Sequence, residues 1–217
     1  MAARGLRLGE LGLHGAAFIC GIVCASALTV AQGDFGGLCL LYGTVSWNGT
    51  ALVPRAFSHI SLCHFVTIVT ILVALYSFSS FLYGIYTCCA EDSPWDRVWL
   101  RVALVAALII LFFLFICACI LRVGMDAFCA SILQSKSFSS CQEAELAPWV
   151  SYSPTHFYHN LYSAQASAWV NVFLWCLLTA RMLLLRRSED PFQLLPPNNP
   201  EWGAESEAIF GGRPVGP

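Results

Sequence analysis

Residues 102–121 read VALVAALIILFFLFICACIL, an unbroken run of Ala, Val, Leu, Ile, Phe and Cys with no charged, polar or turn-forming side chain. A helix rising about 1.5 Å per residue crosses roughly 30 Å of hydrocarbon over such a length. Lipid offers backbone amides no partner, so a segment this apolar is predicted to be helical. Three further apolar runs lie at 11–31, 64–86 and 165–185, and the central run extends to 98–121. The composition agrees: 58% of the 217 residues are hydrophobic and 11% charged, whereas a soluble domain carries about a quarter charged. The expected fold class is an all-α membrane protein, a four-helix transmembrane bundle with two disulfide-bearing exoplasmic loops. Residues 1–185 form the four-span domain, with loops at 32–63 and 122–164, and 186–217 form a disordered cytosolic tail.

The first run has a second reading. Arg4 and Arg7 precede it, and Ala25-Ser26-Ala27 resembles a signal-peptidase site. The run nevertheless continues to Ala31, which favours a full span over a short signal region.

Orientation follows from the basic residues, which resist translocation near span ends. Arg4, Arg7, Arg97, Arg101, Arg181, Arg186 and Arg187 fall at the N-terminus, the short loop between the second and third spans and the C-terminal edge. Only Arg55, Arg122 and Lys136 fall in the two longer loops. Both termini are therefore expected in the cytosol. Asn48-Gly49-Thr50 is an N-glycosylation sequon in the first long loop, and its use requires that loop to face the secretory lumen.

The compartments sort the cysteines. Cys39, Cys63, Cys129 and Cys141 fall in or beside the exoplasmic loops, where thiols oxidise. Four cysteines allow three pairings. Closure of short loops favours Cys39–Cys63 and Cys129–Cys141, each contributing ~3 kcal/mol, while a crossed pairing would tie the two loops into one cap. Cys88 and Cys89 lie at the cytosolic mouth of the second span, a position suited to palmitoylation. Cys20, Cys24, Cys117, Cys119 and Cys176 fall inside spans and read as small packing residues.

Within the spans, Ala17, Gly21 and Ala25 make a small-residue stripe that lets another helix approach, and Ala164 and Ala168 repeat it in the fourth. Asn171 is the most internal strong hydrogen bonder, expected to join two helices. His14 and His64 read as polar residues at the membrane interface, and Arg101, Arg122 and Arg181 as snorkelling span-end residues. Trp149, Tyr152, Phe157, Tyr158 and Tyr162 resemble an interfacial aromatic belt. Ser153 and Pro154 suit the N-cap and first position of the fourth helix.

No midplane charge marks an ion path. Neither a phosphate loop, a nucleophile elbow nor a zinc-protease motif occurs. A net charge of -2 argues against nucleic acid. No cofactor or metal is expected, since His156 and His159 have no completing ligands. The tail carries Asp190-Pro191-Phe192-Gln193-Leu194-Leu195. An acidic residue ahead of Leu-Leu suits clathrin adaptors, which would seat the carboxylate on basic groups and the leucines in apolar pockets. Phosphorylation of Ser188 or Ser206 could tune such a signal.

The segments 32–35 (QGDF), 39–43 (CLLYG), 118–122 (ACILR), 169–171 (WVN), 174–176 (LWC) and 200–202 (PEW) resemble the transmembrane protein 179 family. That resemblance runs from the first span into the tail and implies a four-pass protein with an uncleaved first helix. It implies no reaction. The Cys-Cys-Gly loop signature of tetraspanins and the Trp…Gly-Leu-Trp…Cys…Cys pattern of claudins are both missing. These features together lead to an expected non-enzymatic protein of the lipid bilayer. It would act by lateral or partner contacts and move between plasma membrane and endolysosomal or secretory granule membranes. The alternative is a subunit or accessory of a transporter or channel.

Overall fold

The computed structural model describes residues 2–89, 97–134, 138–152, 154 and 156–189, with side chains described for 8–87, 100–134, 138–152, 154 and 156–187. Four long helices make the frame: α1 (Ala2–Gly33), α2 (Ile60–Cys89), α3 (Arg97–Gln134) and α4 (Phe157–Glu189). Each contains a stretch long and apolar enough to span a bilayer, at Leu8–Gly33, Ile60–Thr87, Leu100–Gln134 and Phe157–Arg187. Large side chains such as Ile19, Leu72, Phe112 and Phe173 remain exposed around the outside, as expected of faces that lipid covers.

α1 lies between α2 and α4, and α4 also packs on α3. Antiparallel registers can be read from side-chain pairs. Glu10 meets Arg181 and His14 meets Trp175 across the α1–α4 seam. Phe18 meets Phe78 across the α1–α2 seam. A Cβ on Gly21 would stand 2.9 Å from the Ala74 Cβ and 3.1 Å from the Thr70 carbonyl oxygen. That approach admits glycine only, and it brings α1 and α2 close enough for backbone contact. Ala17, Gly21 and Ala25 are all buried, so the small-residue stripe is spent within this bundle.

Loop regions hold more order than an all-helical reading foresees. β1 (Cys39–Trp47) and β2 (Leu52–Ser58) form a two-stranded antiparallel hairpin. Gly36 and Gly37, at φ +66° and +85°, turn the chain from α1 into it, a conformation that glycine adopts without a Cβ penalty. The pairing is irregular between Cys39 and Val45, where Tyr42 takes φ +61°. The irregularity explains why the strand is hard to see in sequence: Cys39, Leu40 and Leu41 are all buried, so the period-two alternation expected of a half-buried strand is broken.

β1 climbs the last turns of α3. A Cβ on Gly124 would lie 2.9 Å from Leu41 Cβ, Gly43 faces the Phe128 ring, and the Val45 N–H donates to Ser131 Oγ at 2.7 Å. α3 therefore continues well past the expected end of its span at Leu121 and serves as a post for the hairpin. The fourth helix begins at Phe157 instead of Pro154. Its N-terminus is held by Glu145, whose Oε1 accepts the His159 N–H at 2.9 Å, a carboxylate placed where the helix dipole favours it.

Candidate functional site: the cap and the buried polar seam

Two regions of this molecule concentrate chemistry. The first is the cap formed by the two long loops at one end of the bundle. Disulfides join Cys39 to Cys63 and Cys129 to Cys141, with Cα separations of 5.8 and 5.3 Å. One ties the start of β1 to the first turns of α2, and the other ties α3 to the following loop. Pairing therefore stays within each loop. The loops are nonetheless united, by an aromatic core centred on Phe35, whose ring lies 5.2 Å from Trp149, 5.4 Å from Tyr152 and 6.0 Å from Phe157. Trp149 and Phe157 meet edge to face, as do Phe157 and Phe128, the geometry that ring quadrupoles favour.

This arrangement corrects the aromatic-belt expectation. Phe157 is wholly buried, and Trp149 and Tyr152 are half-buried against protein; among the five belt residues Tyr162 alone is exposed. The Trp149 indole N–H donates to the Ala144 carbonyl at 2.9 Å. Residues 148–150 then extend the sheet: the Leu52 N–H donates to the Pro148 carbonyl, and the Val150 N–H to the Leu52 carbonyl. At the far end of the hairpin a turn closed by the Asn48 N–H on the Ala51 carbonyl leaves Asn48 and Thr50 exposed. Nearby, Leu146 is 92% exposed, and Val150 beside it is also open. The Ser139 hydroxyl and N–H, with a smaller contribution from the Ser140 N–H, donate to the Glu143 carboxylate and hold its carboxyl below the usual range.

The second region is a row of buried polar side chains between α1, α2 and α4. Arg181 Nη2 pairs with Glu10 at 3.2 Å, with both side chains largely covered. Arg181 thus turns inward to a partner and does not snorkel outward as a lone cation. His14 is buried too, its ring 6.0 Å from that of Trp175 in a T-shaped contact. His14 is thus held inside the bundle, against Trp175 and near the Glu10–Arg181 pair. His64, by contrast, is exposed beside Cys63 at the other end of the bundle. Asn171 and Trp175 share one face of α4, a turn apart, and Tyr76 of α2 reaches Trp175 at 5.8 Å. No sequence motif announced this row, since its members lie on three helices and only the packing registers bring them to one level.

Other expected sites fall differently. Cys24 and Cys117 are buried, Cys20 and Cys119 half-buried, and Cys176 faces outward. His156 and His159 are exposed, and among the described residues no group of three His, Cys, Asp or Glu side chains could hold a metal ion. The Cys88, Cys89 and Ser188 side chains lie outside the described residues, as do Ser153, Ser206 and the tail segment Asp190, Pro191, Phe192, Leu194 and Leu195.

Four apolar helices beneath a disulfide-braced hairpin cap make this a four-pass membrane protein. A family model described as the transmembrane protein 179/179B claudin domain matches residues 6–196, and the chain belongs to that family. It is 40% identical over 215 residues to transmembrane protein 179B of Homo sapiens, covering 98% of both chains. Identity to the Mus musculus protein of the same name is 38% over 213 residues, covering 97% of both. For Danio rerio it is 37% over 218 residues, covering 94% of this chain and 96% of the relative. No solved structure matches. This chain thus matches a model that carries the claudin label without having the Trp…Gly-Leu-Trp loop pattern.

Proposed function

We propose that this is a non-catalytic membrane protein that acts through contacts made by its cap and helix faces. In this reading a tail signal moves it between the plasma membrane and endolysosomal or secretory granule membranes. The observation that carries the contact function is the cap itself: a platform folded in advance, braced by two disulfides and presenting Leu146 at 92% exposure near its outer end. A preorganised surface binds with less ordering cost than a flexible loop. The exoplasmic placement of the cap rests on the basic-residue bias and on Asn48, whose exposed turn suits a glycan. Cys88 and Cys89 would carry acyl chains on the opposite side. The tail residues Asp190, Pro191, Phe192, Leu194 and Leu195 would engage clathrin adaptors, with Ser188 and Ser206 as modulating phosphosites.

Surface biotinylation at native expression tests the traffic. Leu194→Ala/Leu195→Ala should raise the surface fraction several-fold, and an unchanged distribution would remove the tail signal from the account. Single-particle tracking tests the contacts. Leu146→Glu should speed lateral diffusion at the surface, and equal diffusion of both proteins would contradict a role for the cap rim.

One observation favours the second reading, an accessory of a transporter or channel. Asn171 is 1% exposed, deep in α4, and neither atom of its amide has a hydrogen-bond partner among the described residues. Flux of a co-expressed transporter that falls on Asn171→Leu would support this role; unaltered flux would count against it.

A further inference from the structure

Serine and threonine inside a membrane helix ordinarily donate their hydroxyl to a carbonyl three or four residues back. Thr70, Ser79, Thr87, Ser167 and Thr179 all do so here. Ser77 does not, although it is fully buried: its Oγ has no partner among the described residues. The Oγ1 of Thr67, half-buried nearer the cap, is likewise without a partner among them. The α1–α2 register, set by Phe18 on Phe78, Gly21 on Ala74 and Gly15 on Phe81, places Ser77 against the α1 face that carries His14 and Ala17. From α4 comes Trp175, through its contact with His14, and Asn171 lies one turn along the same α4 face.

His14 Nδ1, Ser77 Oγ, Asn171 Oδ1 and Nδ2, Trp175 Nε1 and Arg181 Nε are all buried and lack partners among the described residues. They come from three helices and, by these registers, follow one another along α1 from the level of Glu10 to that of Gly21. Isolated in hydrocarbon, each such atom is costly, and a cluster of them is a site that wants a small occupant able to both donate and accept. Trp175 Nε1 and Arg181 Nε can only donate, Asn171 and Ser77 can do both, and the His14 nitrogen serves either way according to its tautomer. Water is the molecule whose two donors and two acceptor sites match that set, and buried waters make about three such bonds each.

We propose that the α1–α2–α4 junction is a hydrated polar site inside the membrane, in which water molecules link His14, Ser77, Asn171 and Trp175. Its mouth is the largely covered Glu10–Arg181 pair at the end of the bundle where α1 begins and α4 ends. His14 lies six residues inside Leu8, about 9 Å along the helix axis, and Asn171 extends the row towards the bilayer centre. The site goes beyond a contact function, because it gives the bundle an internal polar path that helix packing alone does not require.

The full wild-type chain in lipid nanodiscs, labelled with 15N-histidine, tests the proposal. Magnetisation should pass from water to the His14 ring at a rate comparable with exposed His64, with His14→Asn identifying the signal. Transfer to His64 and His156 but none to His14 would overturn it. A second measurement compares Ser77→Cys with lipid-facing Leu75→Cys in membranes, using a small hydrophilic methanethiosulfonate. Thiolate forms only where water reaches, so Ser77→Cys should react at least tenfold faster. Equal rates would overturn the hydrated junction.

Discussion

The cap and the bundle solve the same problem, holding chain segments together, with different chemistry. In the bundle, apolar side chains gain nothing by leaving lipid for each other, so helices associate where small residues permit close approach and where polar groups meet. Gly21 against Ala74 and Arg181 against Glu10 are such points. The cap faces water and can use the hydrophobic effect, but its core is small: Phe35, Leu40, Val45, Leu52, Phe128, Ile132 and Phe157 dominate it. Small cores need staples, and two disulfides supply them. Each half should therefore fail under a different insult.

Phe35→Ala should have the largest effect. It removes the ring that Trp149, Tyr152 and Phe157 all touch, at a cost of about 3–5 kcal/mol. Near-UV circular dichroism in detergent should lose the aromatic signal of the cap while far-UV helicity is kept. Collapse of both signals together would show that the two halves are one cooperative unit. Cys129→Ser/Cys141→Ser follows, at about 3 kcal/mol, and limited proteolysis between 138 and 152 should report it while leaving the bundle uncut. Gly21→Val probes the other half. Its branched side chain meets the Thr70 carbonyl and Ala74, an overpacking cost of about 1–3 kcal/mol, so helicity should melt earlier with the cap disulfides intact. The smallest effect belongs to Glu143. Its carboxyl is held below the ordinary range by Ser139, so its contribution to cap stability is present above the unfolded value and is lost as pH falls through the folded one. Glu143→Gln should flatten the acid limb of a cap-melting profile as pH falls below the ordinary glutamate range.

The bundle was legible because a membrane span is written in one contiguous stretch, as 102–121 shows. The four bridging cysteines were legible from their places in or beside the two long loops, and short-loop closure named the pairing that forms. The hairpin was not, since the bulge at Tyr42 interrupts alternation and Gly43 and Gly124 matter only through their contact across the α3 post. Trp149 and Tyr152 looked like belt residues because composition cannot distinguish a ring facing lipid from one facing Phe35. The burial of His14 was hidden for a similar reason: its partner Trp175 lies on the last helix, and no spacing rule links positions so far apart.

Hydrogen–deuterium exchange on the full chain in nanodiscs, comparing wild type with Cys39→Ser/Cys63→Ser, tests the division into two differently held halves most directly. The account predicts slow exchange of β1 and β2 amides in the wild type, at least a tenfold acceleration in the variant, and unchanged protection in α1 and α4. Equally fast exchange of the hairpin in both proteins, or loss of protection in α1 and α4 along with it, would contradict the claim.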